Sequence, residues 1–540
     1  MKNAWLIFLG LLTLGVGLLL NGANLYFGDL NQDEGWYLYA GKQVSNGKIP
    51  YRDFAFTQAP VMPFVYSLIH PLVKREGIAG GRLFTTALGL IAGILSAWLA
   101  ARVAPVGWGK HAALIAFTLI TCNVYQSYFM TVVKTYALCS LFLVSGLLAA
   151  SFTKNRYGWV AAAGAAALLA LAAGTRISTG IALPVIGLYF LSQRKHLGDP
   201  IWISFGVGGM LSLFLIFFPL AWMAFDGLWF GLFEYHSLRM SGNWLSQGVY
   251  KAGFISRFVQ AYFVFVCFGA ALIMLYILKP IASGITPLKT LTPNGFSKSL
   301  LGVGIAVSFV HFCAPFPYDD YQTIIYPVLS IVLALGLVQW IVTREQNKTG
   351  TEISMPNIIH SKMWMMWLLT LLFFTSVFAS FSSPINQQWM VLGQDRIWWR
   401  LKNKTDINKL REVSDSLSQK SFPNDLLLTQ DTYLAVEADK SVPHGMEMGP
   451  FCYFPEWSRE RAEKLNVLNK EMLLELFQTT QARYAAFSEY GLAIQSPEIR
   501  EITQSEQAEL KHVLHQYFEL EDEQAHFGQA HTTLKIFKKK

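Results

Sequence analysis

Apolar and polar positions in this chain are sorted into long blocks rather than the short alternation of a soluble domain. About eleven runs approach the ~20 apolar residues that a helix needs to cross the hydrocarbon of a bilayer. They lie near 4–20, 82–101, 111–129, 135–152, 158–174, 177–192, 201–224, 256–278, 300–316, 323–342 and 363–382. The fifth and sixth crowd together at Gly174-Thr175-Arg176. A further apolar stretch, 61–73, is short and interrupted by Pro63, His70 and Pro71, so it predicts a helix lying against the membrane rather than crossing it. The first run is long and no small-residue cleavage site closes it, so it reads as a span and not as a removable signal.

The pattern changes at Ser383. Helical stretches at 406–419, 458–481 and 505–520 alternate with strand-like runs at 426–430, 482–488 and 533–537, which predicts a small α/β domain. The expected organisation is a polytopic α-helical membrane domain over 1–382 followed by an extracytoplasmic α/β domain over 383–540. Within the first, an outer loop over 21–81 is expected to carry juxtamembrane helices.

Composition supports the membrane class. Hydrophobic residues make up 53% of the 540 and charged residues only 14%, against roughly 25% charged in soluble proteins. The net charge of +8 would suggest nucleic acid in a soluble protein, but topology accounts for it here. With the amino terminus cytoplasmic, the inner loops collect Lys2, Arg102, Lys110, Lys154, Arg156, Arg194, Lys195, Lys279, Lys289, Lys298, Arg344, Lys348 and Lys362. Beyond the first, the opposite loops hold only Lys134, Arg176, Arg239 and Lys251, as the positive-inside rule requires. Both the loop after the first span and everything after Ser382 then face outward, on the outer side of what is expected to be a bacterial inner membrane. Four of the five cysteines lie in apolar stretches and give neither a disulfide framework nor a metal spacing.

Candidate chemistry gathers in the outer loops. An acidic pair, Asp33-Glu34, sits just past the first span, where charge is costly to hold without a partner or a task. Arg52, Asp53 and Gln58 follow it, in Pro50-Tyr51-Arg52-Asp53 and Gln58-Ala59-Pro60. Arg176 marks the tight bend, and the loop 225–256 carries Glu234, His236, Arg239 and Trp244. Asp319, Asp320 and Tyr321 lie between two late spans. An acid that accepts a proton and cations that hold a phosphate are the minimum equipment for moving a sugar from a phosphate-linked lipid to a hydroxyl. The lipid phosphate leaves without protonation, so one carboxylate suffices to deprotonate the acceptor, and positive charge stabilises the departing phosphate. The displacement would be single and inverting. No phosphate-cradling Gly loop of the Walker type is present in the sequence, consistent with a donor that is not a nucleotide.

Asp33-Glu34 after the first span, the run Gly47-Lys48-Ile49-Pro50-Tyr51-Arg52-Asp53 and a Pro-containing stretch before the second span together resemble the first outer loop of the GT-C glycosyltransferases. The stretch also resembles bacterial members of the protein O-mannosyltransferase group, family 39, which includes the aminoarabinose transferases. The resemblance covers roughly 1–380 and is strongest over 29–65. It implies Asp33 as base and Glu34 as its brace or an acceptor contact. It also implies a polyprenyl-phosphate sugar donor and an acceptor that is a lipid, a protein or a glycan. One departure stands out. Aminoarabinose transferases carry a Lys just before Pro-Pro-Leu, where this chain reads Gln58-Ala59-Pro60-Val61. Arg52, Arg82, Lys134 or Arg176 would have to supply the missing cation. No cofactor is required by this chemistry, although a divalent metal is compatible with the acidic pair. Competing expectations are a transporter or flippase, and an inactive relative that binds a lipid-linked sugar.

Overall fold

The computed structural model describes residues 2–239, 243–283, 295–315, 317–349, 355–382, 404–495 and 500–540. Among them, seven helices are long and apolar enough to cross a membrane: Ala4–Phe27, Ile78–Val103, Gly158–Thr175, Asp199–Ser237, Gly295–Cys313, Tyr326–Arg344 and Lys362–Phe381. The pair Trp244–Ala261 and Phe263–Ile277, bent by 91°, makes an eighth if it is one span. Three shorter apolar helices, Gly109–Thr121, Thr135–Ala150 and Ile177–Ser192, occupy the remaining predicted runs. By length the crossings number seven or eight, and the expected eleven is reached only by counting these three as well. The run at 111–129 shows why. Its helix stops at Thr121, and the Asn123 side chain starts a separate short helix, Val124–Phe129, by accepting from Gln126 N–H at 2.8 Å. Thirteen helical residues reach only about 20 Å.

The Ala-rich helix Gly158–Thr175 is the hub of the bundle. It packs against Thr135–Ala150 and Asp199–Trp229, and a Cβ added at Gly208 would lie 3.0 Å from Ala163. Small residues substitute for hydrophobic driving force inside a bilayer by letting backbones approach closely. Met363, Trp364 and Trp367 project outward on the last membrane helix, as expected of lipid-facing residues. The stretch 61–73 becomes two short helices, Val61–Ser67 and His70–Glu76.

In the C-terminal domain a four-stranded sheet places Leu427–Leu428, Tyr484–Ser488, Thr532–Lys539 and Phe518–Phe527 side by side in that order. Its strands are β1 (Leu427–Leu428), β2 (Tyr484–Ser488), β5 (Phe518–Phe527) and β6 (Thr532–Lys539), while β3 (Ile494–Gln495) and β4 (Arg500–Glu501) pair separately. β1 runs parallel to β2, and the other pairs are antiparallel. The predicted helix 505–520 ends at Tyr517, and the long strand β5 follows it. β5 escapes a hydrophobic pattern because it is an edge strand, Phe-Glu-Leu-Glu-Asp-Glu-Gln-Ala-His-Phe, largely exposed between its two buried Phe residues. The predicted helix 458–481 is two helices, Arg459–Lys464 and Lys470–Thr479, the second N-capped by Asn469. The expected domain boundary at 383 borders residues 383–403, which lie outside the described residues.

The loop after the first membrane helix and the C-terminal domain share one hydrophobic core. Leu30, Trp36, Leu38 and Met62 belong to the same buried cluster as Leu410, Leu434, Leu468 and Phe487. Polar ties cross the seam. Lys42 Nζ donates to Asp439 at 2.8 Å and to the Lys440 carbonyl at 3.0 Å, and Val442 N–H donates to Tyr39 Oη at 2.9 Å. Glu437 caps the membrane helix Ile78–Val103 by accepting from Ile78 N–H at 2.8 Å. Gly77, at φ +61°, leaves room for that carboxylate, since a Cβ there would sit 1.9 Å from Glu437 Oε2.

Candidate active site

The helix Gln32–Ser45 positions the acidic pair. Asn31 is its N-cap and accepts from Asp33 N–H at 3.1 Å, and Glu34 closes a capping box by accepting from Asn31 N–H at 3.0 Å. Consecutive residues on a helix point about 100° apart, and here that separates two environments. Glu34 is fully buried against an equally buried Arg82, with Oε1 2.8 Å from Nε and Oε2 2.7 Å from Nη2. Val133 N–H also donates to Glu34 Oε1 at 3.2 Å. Arg82 spends its remaining donors on backbone carbonyls, Gly28 at 3.1 Å and Asp29 at 2.9 Å among them. Neither side chain lines the cavity that Asp33 faces. Arg52 and Asp53 also pair with each other, in a bidentate contact at 2.8 Å for each bond, and stay outside the cavity.

Asp33 instead faces a cavity of about 320 Å³ between the membrane helices and the C-terminal domain. Its Oδ1 accepts from Trp36 Nε1–H at 3.2 Å, and its Oδ2 lies 3.0 Å from Lys134 Nζ. The same ammonium is 2.7 Å from Asp320 Oδ2, so one cation bridges two carboxylates, one on the helix Gln32–Ser45 and one on a 3-10 turn almost 290 residues later. Asp320 Oδ1 is buried with no hydrogen-bond partner among the described residues. Burial alone would raise the Asp33 carboxyl. The charge and hydrogen bond of Lys134, the Trp36 N–H and the charge of Arg239 outweigh it and hold the group below its ordinary value of 3.8.

Of the other predicted residues, Gln58, Arg176 and Tyr321 line this cavity. Arg176 sits at an extended break, φ −147° and ψ 112°, between Gly158–Thr175 and a 3-10 turn. Its guanidinium stacks 4.1 Å from the Tyr321 ring centroid and donates to Thr135 Oγ1 at 3.3 Å. Stacking uses the guanidinium face and leaves edge N–H groups for an anion. Asp319 opens the 3-10 turn that carries Asp320.

Two further arginines enter the cavity wall. Arg239 lies over Tyr235 and Tyr318, at 5.3 and 5.7 Å from their centroids, and Arg257 lines the same space. The sequence held a signal for Arg257: it falls inside a predicted span, where an ionisable side chain points to function. No pattern pointed to Phe451 and Gln529, which the C-terminal domain contributes. Gln529 Oε1 accepts from Gln32 N–H at 2.8 Å, next to Asp33.

No protein-family model and no curated protein sequence matches the chain. Its structure does match. ArnT from Cupriavidus metallidurans bound to undecaprenyl phosphate superimposes with a TM-score of 0.59 at 12% identity, covering 99% of this chain and 98% of that one. The apo form of that protein gives 0.58 at 14% identity, over 90% and 93% of the two chains. The Archaeoglobus fulgidus oligosaccharyltransferase in its apo form gives 0.51 at 11% identity, over 90% of this chain and 69% of that one. The chain has the GT-C fold. The likeness is one of fold, broader than the family 39 grouping.

Proposed function

We propose that the protein is a membrane glycosyltransferase that moves a sugar from a polyprenyl-phosphate donor to a hydroxyl acceptor, with Asp33 as base. One observation carries this reading: the chain Asp33–Lys134–Asp320, at 3.0 and 2.7 Å, in a cavity that Arg176 and Arg239 also line. A proton acceptor and convergent cations are the two things the transfer needs. The fold adds weight, because one structure that shares it was solved with undecaprenyl phosphate and another is an oligosaccharyltransferase.

The donor phosphate lies against Arg176, Arg239 and Lys134, and the sugar carbon faces Asp33. The acceptor oxygen bonds to that carbon as its bond to the phosphate oxygen breaks, which inverts the centre. The acceptor proton passes to Asp33, and the polyprenyl phosphate leaves with the bonding pair. Lys134 ties donor arrival to base strength. As its ammonium turns toward the phosphate, the carboxylate of Asp33 loses the partner that keeps it weakly basic. Between the two carboxylates, Lys134 supplies the positive charge. The unpartnered Oδ1 of Asp320 can accept from a substrate hydroxyl. Glu34, sealed against Arg82, sets the position of the helix that carries Asp33. The cavity and the outer domain face away from the cytoplasm, and the acceptor is a lipid, a protein or a glycan.

The test is sugar transfer from a radiolabelled pool of polyprenyl-phosphate sugars in membranes, native chain against Asp33→Asn at equal abundance. Asp33→Asn is expected to lose about 10²–10⁴-fold in rate. Equal transfer by both would remove Asp33 as base. No transfer by the native chain from any of several donors would overturn the transferase reading.

A further inference from the structure

Asp29, Asp406 and His531 meet at the seam between the first outer loop and the outer domain, outside the cavity that holds Asp33. One ligand atom from each lies within 4.8 Å of the other two. His531 Nε2 is 3.7 Å from Asp29 Oδ2. They come from three separate segments. Asp29 follows the first membrane helix, Lys2–Phe27, and Asp406 opens the helix Asp406–Lys420. His531 stands in the turn between β5 and β6.

We propose that these three side chains form a structural divalent-cation site, suited to Zn²⁺, that clamps the outer domain onto the membrane domain. Two carboxylates and an imidazole are a donor set that Zn²⁺ takes at about 2.0–2.2 Å, with water completing a tetrahedron. Donors around such an ion lie about 3.4 Å apart, so the present spacing closes by small side-chain rotations. Asp29 and Asp406 are only 9% and 5% exposed, so the donor atoms meet inside the seam and not on the surface.

The frame around the site is already fixed. The Asp29 carbonyl accepts from Arg82 Nη2 at 2.9 Å and from Tyr128 Oη at 3.1 Å. Asp406 Oδ2 accepts from Leu30 N–H at 3.4 Å, so the two acids share one stretch of backbone. The position of His531 matters beyond the seam. Two residues before it, Gln529 accepts from Gln32 N–H and forms part of the wall beside Asp33. A cation that holds the hairpin turn therefore also holds that wall in place.

The test uses the full chain purified in detergent, stripped with EDTA and then exchanged into metal-free buffer. Zn²⁺ and Mn²⁺ are titrated separately, and bound metal per chain and the melting temperature are measured without reference to transfer. We expect one Zn²⁺ per chain and a melting temperature that rises with free Zn²⁺. His531→Gln and Asp29→Asn should each weaken binding at least tenfold and flatten that rise, while eluting as native protein on gel filtration. Bound metal no higher than in a detergent blank would overturn the site. So would Zn²⁺ binding that persists unchanged in both variants. If one variant does not fold, the other decides. Neither readout depends on Asp33, so the site and the transferase reading can fail separately.

Discussion

Asp33 and Glu34 are neighbours in sequence and opposites in environment. Glu34 has its charge cancelled bidentately by Arg82 in a place that water does not reach. Asp33 shares one ammonium with a second carboxylate on the wall of a cavity. The first arrangement is complete, because the acid and the guanidinium are both saturated with protein partners. The second is unfinished, because Lys134 must serve two acids and Asp320 keeps an open lone pair. A saturated pair fixes geometry, and an unsaturated one can exchange partners when a substrate arrives. The helix turn between two adjacent residues is enough to make one a brace and the other a candidate reactant.

The largest break in this comparison is at the saturated pair. Arg82→Met leaves Glu34 charged and buried, and unfolding in detergent should show a loss of about 3–5 kcal/mol. Combining it with Glu34→Leu should recover part of the loss, not all, because Asn31 and Val133 N–H groups then lack their acceptor. At the open site the effect should fall on rate instead. Lys134→Met removes a donor from the departing phosphate and should slow transfer by about 10²-fold. It also removes the main group that depresses Asp33, so burial then dominates and the acid limb of the pH–rate profile moves to higher pH. Stability follows the same sign. The folded Asp33 carboxyl lies below 3.8, so its pairing stabilises the native chain above 3.8 and fades as pH falls through the depressed value. That acid-side loss should be absent in Lys134→Met.

The smallest expected effect lies in the C-terminal domain. The hydrogen bond to Glu447, at 3.3 Å, raises His444 above its ordinary 6.5. The stabilisation is complete below 6.5 and disappears as pH rises through the raised value. With the imidazole more than half exposed, His444→Gln should cost about 0.5 kcal/mol or less at pH 5 and less again at pH 9.

Membrane helices were legible in the sequence because lipid demands apolar length, and a run of one composition declares itself. Interruptions inside a run were less so. Cys122 and Asn123 end one helix and start another through a side-chain cap that leaves average hydropathy almost untouched. Asp33, Gln58, Lys134, Arg176, Asp320 and Tyr321 were nameable as outer-loop groups, and the fold brings them to one cavity. Their partners were not nameable, since a sequence carries no distance between residues 34 and 82 or between 134 and 320. Arg52 and Asp53 resembled site residues for the same reason that they make a turn: adjacent opposite charges satisfy each other first. The edge strand β5 was hidden because an exposed strand has no obligation to alternate.

The shared core of the first loop and the C-terminal domain has a consequence for how the protein is made. Residues near 30–62 leave the ribosome early, while their packing partners at 410–487 and the wall residue Gln529 come hundreds of residues later. Until then, Trp36, Leu38 and Met62 have no lid, and the helix bearing Asp33 lacks its packing against Thr432–Glu437. The membrane bundle can assemble as each span inserts, but the cavity is finished only when the end of the chain folds back onto its beginning. A polypeptide halted before Gln529 would be inserted, largely helical and without a completed site.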